Sequence, residues 1–277
     1  MSLQLYQEGD SLLHRLNPVV KLIAFSILMI VPALFLNPVV PAIFLALALL
    51  LGWGLGGLTP IKMLRTLAPF LLLAVSLVLF NTIFYGGPRA RLLAHLGPLK
   101  VWEEALAVGS SIGLRLLCFT SYSALFVWTT TPSQLTASLI QQARLPYQLA
   151  YAILAAYRFL PILQAELENI RAAHRVRGAY AEGGLLAHKE SWRRYGIPLL
   201  ANGIRHAERL AIAMDARGFG ALPTRTHYVQ SPLAAHDLLF LASVLLAVVA
   251  ILLTFASLGL LQGFLAGPAE SLTGGQP

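Results

Sequence analysis

Charge is scarce in this chain: of 277 residues only 12% are Asp, Glu, Lys or Arg, while 57% are hydrophobic, against roughly a quarter charged in an ordinary soluble domain. With a mean hydropathy of +0.70, a water-soluble fold is excluded. Cysteine is nearly missing. Cys118 stands alone inside an apolar run, which rules out a disulfide framework or a Cys-based metal cluster and leaves it a packing role. No Gly-x-x-x-x-Gly-Lys-Ser/Thr segment is present, so the chain lacks a P-loop and any ATP energy must enter through another subunit. The seven His residues include no His-Glu-x-x-His pattern, and no zinc site is expected. Glu166 and Glu168 are two apart and do not share a helix face, which argues against a paired-carboxylate active site.

What is there instead is long apolar runs, each near the ~20 residues that a helix needs to cross a hydrocarbon core. Five crossings are predicted, at 19–36, 39–55, 66–84, 105–130 and 238–262. The first carries Lys21 and is soon followed by a second, unlike a cleavable signal peptide. Asn37 and Pro38 join the first two into a helical hairpin, with Pro32 and Pro41 as candidate bends. The fold class is therefore an all-α integral membrane protein.

Twelve of the twenty Lys and Arg residues fall between 131 and 235, and none follows Arg225. Cytoplasmic segments near span ends retain excess Lys and Arg, so 131–235 and the N-terminus are expected inside. Arg15 and Lys21 beside the first span, and Lys62 and Arg65 in the predicted second cytoplasmic turn, agree. Arg89, Arg91 and Lys100 in the predicted outer loop resist it. The expected organisation is a membrane domain at 1–130, a helical cytoplasmic domain at 131–235 and a last span with tail at 236–277. Residues 147–165, interrupted by Arg158 and Pro161, read as an interfacial helix, with a sixth crossing as the alternative. The pI near 9.9 is accounted for by anionic lipid rather than nucleic acid, because the basic residues adjoin the spans.

Within the basic region an approximate repeat recurs forty positions apart. ENIRAAHRVRG, residues 168–178, overlays ERLAIAMDARG, residues 208–218, sharing Glu168 with Glu208, Ala173 with Ala213, Arg177 with Arg217 and Gly178 with Gly218. Each reads as a helix closed by a left-handed glycine, with Arg at the negative end of the helix dipole. One Arg-Gly ending is an ordinary cap. Two exposed cationic endings in one cytoplasmic domain can plug into equivalent acidic pockets on two copies, or two homologues, of a partner, since the Arg fork binds a carboxylate bidentately. Ala172, Ala173, Ala211 and Ala213 would permit close helix crossing, although Ala is also simply the best helix former. Between the repeats the sequence predicts a turn at 179–184 and a separate amphipathic piece at 185–195, broken from the second repeat by Gly196 and Pro198.

The chain closely resembles the transmembrane T component of energy-coupling factor transporters, a family that includes the cobalt, biotin and general vitamin coupling subunits. Members carry two Ala-Arg-Gly motifs ending cytoplasmic coupling helices. Here the second is Ala216, Arg217 and Gly218, and the first is Val176, Arg177 and Gly178, with Val in place of Ala. GDSLLHRLNPVVKL near the N-terminus, TTPSQL at 130–135 and YRFLP at 157–161 extend the likeness over nearly the whole chain. The resemblance implies a non-catalytic subunit of a bacterial or archaeal cytoplasmic (inner) membrane. It would assemble with two ABC ATPases, which bind the ATP, and with a substrate-binding S component, and would bind no cofactor itself. Arg177 and Arg217 would dock into the ATPases, and their movement would tilt the S component to deliver a vitamin or transition-metal ion. Two other classes compete. A self-sufficient secondary transporter should show interrupted helices converging at midplane, for which only Arg115, Asn81 and the Ser/Thr residues near Thr120 speak. A membrane enzyme would need a metal-binding acidic cluster that the loops do not offer. Arg115, inside the fourth span, is a functional candidate by default; an inward-facing structural pair, or a span starting later, accounts for it equally.

Overall fold

Proline and asparagine begin the first long helix. In the computed structural model, which describes residues 9–35, 37–84, 92–96, 99–177, 185–222 and 230–257, Asn17 caps helix α2 (Pro18–Ala33) by accepting from the Val19 amide at 3.1 Å, with Pro18 in the first helical position. A short α1 (Leu12–Arg15) precedes it, its first turn fastened by a 2.5 Å contact between Ser11 Oγ and His14 Nδ1. Helix α3 (Val39–Leu50) continues through a π-turn at Leu51–Leu55; α4 (Pro60–Phe84) and α5 (Glu103–Thr129) follow. After α5 come α6 (Pro132–Gln141), α7 (Tyr147–Val176), α8 (Leu185–Ala216) and α9 (Ala235–Ser257). The described residues divide into two compact units, one comprising those within 9–135 together with 231–257 and the other those within 136–230.

In the first unit α2, α3, α5 and α9 share one core. Phe25, Leu28, Phe44, Tyr122, Leu125, Val244 and Val248 are buried together. Tyr122 is fully enclosed; its hydroxyl donates to the Phe44 carbonyl at 2.9 Å and its ring lies 5.7 Å from Phe25. That bond matters because an unpartnered buried hydroxyl is costly. Helix α4 packs against α5 through glycine. A Cβ at Gly109 would stand 3.0 Å from the Val78 carbonyl oxygen, and one at Gly113 would stand 3.1 Å from that of Ala74. This is the small-xxx-small spacing by which membrane helices approach closely. The opposite side of α4 leaves Leu72 79% and Phe84 71% exposed, as a lipid-facing surface requires. Three described helices are long and apolar enough to cross a membrane, at Pro60–Phe84, Ala105–Thr129 and Ala235–Ser257, and Pro18–Ala33 and Val39–Leu55 are shorter apolar helices.

Within the described residues all five apolar runs are helical over most of their length, and the all-α, multi-pass membrane class holds. Three details differ from expectation. Lys62 and Arg65 lie on the first turns of α4 rather than in a turn before it. Both residues are good helix formers whose long stems keep their charge in water. A short antiparallel pair, β1 (Leu92–Leu96) with β2 (Leu99–Trp102), occupies the stretch read as a plain loop, with Leu96 opposite Leu99 and His95 opposite Lys100. Leu- and Val-containing segments on either side of Gly97 and Pro98 carry an ordinary hairpin signal. Third, α8 is one helix from Leu185 to Ala216 and contains both Gly196 and Pro198. Contacts with α7 on both sides of the proline hold it together: Tyr195 meets His174 before it, and His206 stacks on Phe159 after it.

The TTPSQL segment has a local explanation. Thr131 Oγ1 accepts from the Gln134 amide at 3.3 Å while Gln134 Oε1 accepts from the Thr131 amide at 3.4 Å, a reciprocal capping box that starts α6, with Pro132 in the first helical position.

Candidate functional site

The repeated segments form the ends of α7 and α8. Along this pair the α7 residues Phe159, Glu166 and His174 meet His206, Asn202 and Tyr195 of α8 in turn. Partner numbers fall as α7 numbers rise, so the helices run antiparallel. The 30 residues of α7 rise about 45 Å at 1.5 Å each. Arg177, at the end of α7, and Arg217, at the end of α8, therefore occupy opposite ends of the pair, separated by roughly that length.

The Arg217 end is built rigidly. The Phe219 amide donates to the Met214 carbonyl at 3.0 Å and the Gly218 amide to that of Asp215 at 2.9 Å, the two bonds of a Schellman closure. It requires a left-handed residue, and Gly218 supplies φ +70°. Phe219 then packs edge-on against Tyr147, 5.5 Å between ring centres, and Tyr151, 6.2 Å. The Tyr147 hydroxyl donates to the Leu222 carbonyl at 2.8 Å. These contacts clamp the turn after Arg217 to the start of α7, while Arg217 itself projects exposed.

At the other end, Val176 closes α7 and Arg177 caps it, its amide donating to the Ala173 carbonyl at 3.3 Å. Val176 is 90% exposed, which is unusual for an aliphatic side chain and places an apolar contact beside an exposed guanidinium. Gly178, predicted as the matching left-handed cap, and the turn at 179–184 lie outside the described residues. Among the described residues no carboxylate pairs with Arg177 or Arg217.

Glu168, Glu208, Ala173, Ala213 and Ala216 are all exposed. Ala172 and Ala211 are exposed too, so of the two readings open for the four alanines, close crossing or simple helix formers, their exposure fits the second. Phe159, Glu166 and His174 make the contacts with α8 instead, by stacking, hydrogen bonding and edge-on ring packing. Ala211 helps line an open apolar groove of about 420 Å³ with Ala152, Ala155, Phe159, Leu210 and Met214.

Arg115 lies well inside α5, so the span does not start late. Its guanidinium donates to the carbonyl of Phe35, just past the end of α2, where Ser111 Oγ also donates at 3.4 Å. It holds a helix terminus rather than a carboxylate, a placement favoured by the negative end of the α2 dipole.

The sequence reading missed a buried polar cluster. Lys21, expected beside the span as a flanking cation, is 1% exposed and donates to the Thr129 carbonyl, the last of α5, at 2.8 Å. Asp237, also 1% exposed, accepts from the Asn17 amide at 2.8 Å and the Ala234 amide at 2.9 Å. Asn17 Nδ2 donates to the Ser231 carbonyl at 3.3 Å and to its Oγ at 3.1 Å. The available signal was an Asn-Pro cap with Lys one turn later, and an Asp opening the last apolar run. Among the described residues no group of three or more His, Cys, Asp or Glu is arranged around a metal.

The family model for the cobalt transport protein matches residues 9–228. The energy-coupling factor transporter transmembrane protein EcfT of Thermosediminibacter oceani is 32% identical over 262 residues, covering 90% of this chain and 96% of that protein. That of Streptococcus thermophilus is 32% identical over 241 residues, covering 80% and 86%. A putative ABC transporter ATP-binding protein of Bifidobacterium longum is 31% identical over 254 residues, covering 88% of this chain but 32% of that longer protein. With matches of this extent, the chain belongs to the cobalt transport protein family, among the transmembrane components of energy-coupling factor transporters.

Proposed function

We propose that this subunit is a non-catalytic coupling element. Arg177 and Arg217 seat in two ABC ATPases on the cytoplasmic side of the inner membrane, and ATP-driven closure of the ATPase pair moves α7 and α8. A substrate-binding S component is tilted in response and delivers a vitamin or transition-metal ion. The N-terminus and residues 131–235 are cytoplasmic in this reading. The observation that carries it is the pair of exposed cationic helix ends held about 45 Å apart by an antiparallel helix pair, a spacing suited to two separate partners. A relative of this chain named as an ATP-binding protein supports an ATPase partner. Force is transmitted as a rigid-body transition whose bias is the differential binding of nucleotide states.

Affinity purification from native membranes tests it. The wild-type subunit is expected to recover two ATPase copies. The double variant Arg177→Glu, Arg217→Glu is expected to insert normally but lose both, since breaking such charge pairs costs about 2–5 kcal/mol each. Unchanged recovery would remove these residues from the docking role.

A further inference from the structure

We infer that Asn17, Lys21 and Asp237 form a buried clasp that fixes the separation of the two points where the chain leaves for, and returns from, the coupling helices, so that this separation stays constant through the transport cycle. The inference rests on the coupling role proposed above. Thr129 ends α5 two residues before the cap of α6, and there the chain departs. Ser231 and Ala234 bring it back into α9. Lys21 binds the departing end through the Thr129 carbonyl; Asn17 binds the returning end through Ser231, and Asp237 fixes Ala234 and the Asn17 amide. Asn17 and Lys21 are one helical turn apart and share a face of α2, so one short segment grips both ends.

Burial distinguishes this clasp from an incidental surface network. Asn17 is 4%, Lys21 1%, Asp237 1% and Thr129 0% exposed, and the buried cation and carboxylate are each held by hydrogen bonds, Lys21 to the Thr129 carbonyl and Asp237 from the Asn17 and Ala234 amides. Beside Asp237 also lies His236, at 3.7 Å, with its own side chain 60% exposed. A buried, hydrogen-bonded charge is a weak source of stability compared with apolar residues of the same shape. It is strong in direction: hydrogen bonds fail steeply when donors and acceptors separate or rotate. A clasp of this kind resists relative sliding of three helix ends, which a greasy contact would permit.

The test uses the full complex with its ATPases in lipid nanodiscs. Spin labels are placed at Ser133 and Leu233 in a Cys118→Ala background, and their distance is measured without nucleotide and with a non-hydrolysable ATP analogue. In wild type one narrow distance, the same in both states, is expected. In Lys21→Met, Asp237→Asn, which removes both charges together, the assembled complex is expected to show a distance that changes with nucleotide, a dependence that mere loss of stability does not produce. Asn17→Ser retains a capping hydroxyl but loses its reach to Ser231; it is expected to move the same way by less, and stands in if the double variant does not insert. A distance independent of nucleotide in assembled variants, or dependent on it in wild type, overturns the clasp. Failure of the wild type to recover ATPases sinks the coupling role at purification, before any distance is measured.

Discussion

Several cations of this chain, Lys21, Arg115, Arg177 and Arg217 among them, sit at C-terminal ends of helices, where exposed carbonyls make the dipole negative, and their surroundings separate their roles. Lys21 is enclosed against the last carbonyl of α5, and Arg115 reaches the carbonyl just past α2. Arg217 ends its own helix and faces outward. Lys21 and Arg115 donate to carbonyls within the chain, although Arg115 Nε is left without a partner, whereas the Arg217 side chain is exposed. What aims it is Gly218, because a left-handed residue at that position turns the chain back toward Tyr147. Replacing Gly218 with Ala introduces the left-handed penalty of roughly 1–2 kcal/mol. Faster hydrogen exchange at the Gly218 and Phe219 amides, by about tenfold, is the expected outcome; unchanged exchange would mean the closure tolerates a Cβ.

At the scale of elements, close packing and long reach are assigned to different helices. Helices α4 and α5 approach until a side chain at Gly109 or Gly113 would strike a backbone carbonyl, whereas a Cβ at Gly54 meets nothing within 4 Å. Gly109→Leu and Gly113→Leu are each expected to lower the thermal midpoint in detergent, with an overpacking cost of about 1–3 kcal/mol. Gly54→Leu serves as the control and should leave it unchanged. Helices α7 and α8 meet instead through larger side chains, Phe159 on His206 and Glu166 with Asn202. Pro198 within α8 removes one backbone donor, and contacts on either side of it keep the helix whole.

For the whole molecule, the sequence passes from a bundle of apolar helices into a basic helical pair and back again, the passage being framed by the capping box at Thr131 and the clasp at Asp237. The proposed topology rests on the distribution of Lys and Arg. Because Cys118 is the single cysteine and is buried, single-cysteine mapping is direct. In a Cys118→Ala background, a cysteine at the exposed position Glu168 is expected to react with an impermeant maleimide in inverted vesicles and not in intact cells. Labelling from outside would reverse the orientation proposed here.

The apolar runs, the helical class and the Arg217-Gly218 ending were legible in the sequence because each rests on local chemistry: a helix must satisfy its own backbone in lipid, and a left-handed turn selects glycine. The sequence by itself thus determined that this is a helical membrane protein with two cationic helix ends. Only the tertiary structure decided that α8 runs unbroken through Gly196 and Pro198, that the two Arg ends face opposite ways along an antiparallel pair, and that Lys21 is interior. The reason is that Pro198 is outweighed by contacts with residues far away in sequence, and Lys21 finds its acceptor 108 positions along the chain. Distances of that kind are fixed by packing, which no local pattern records.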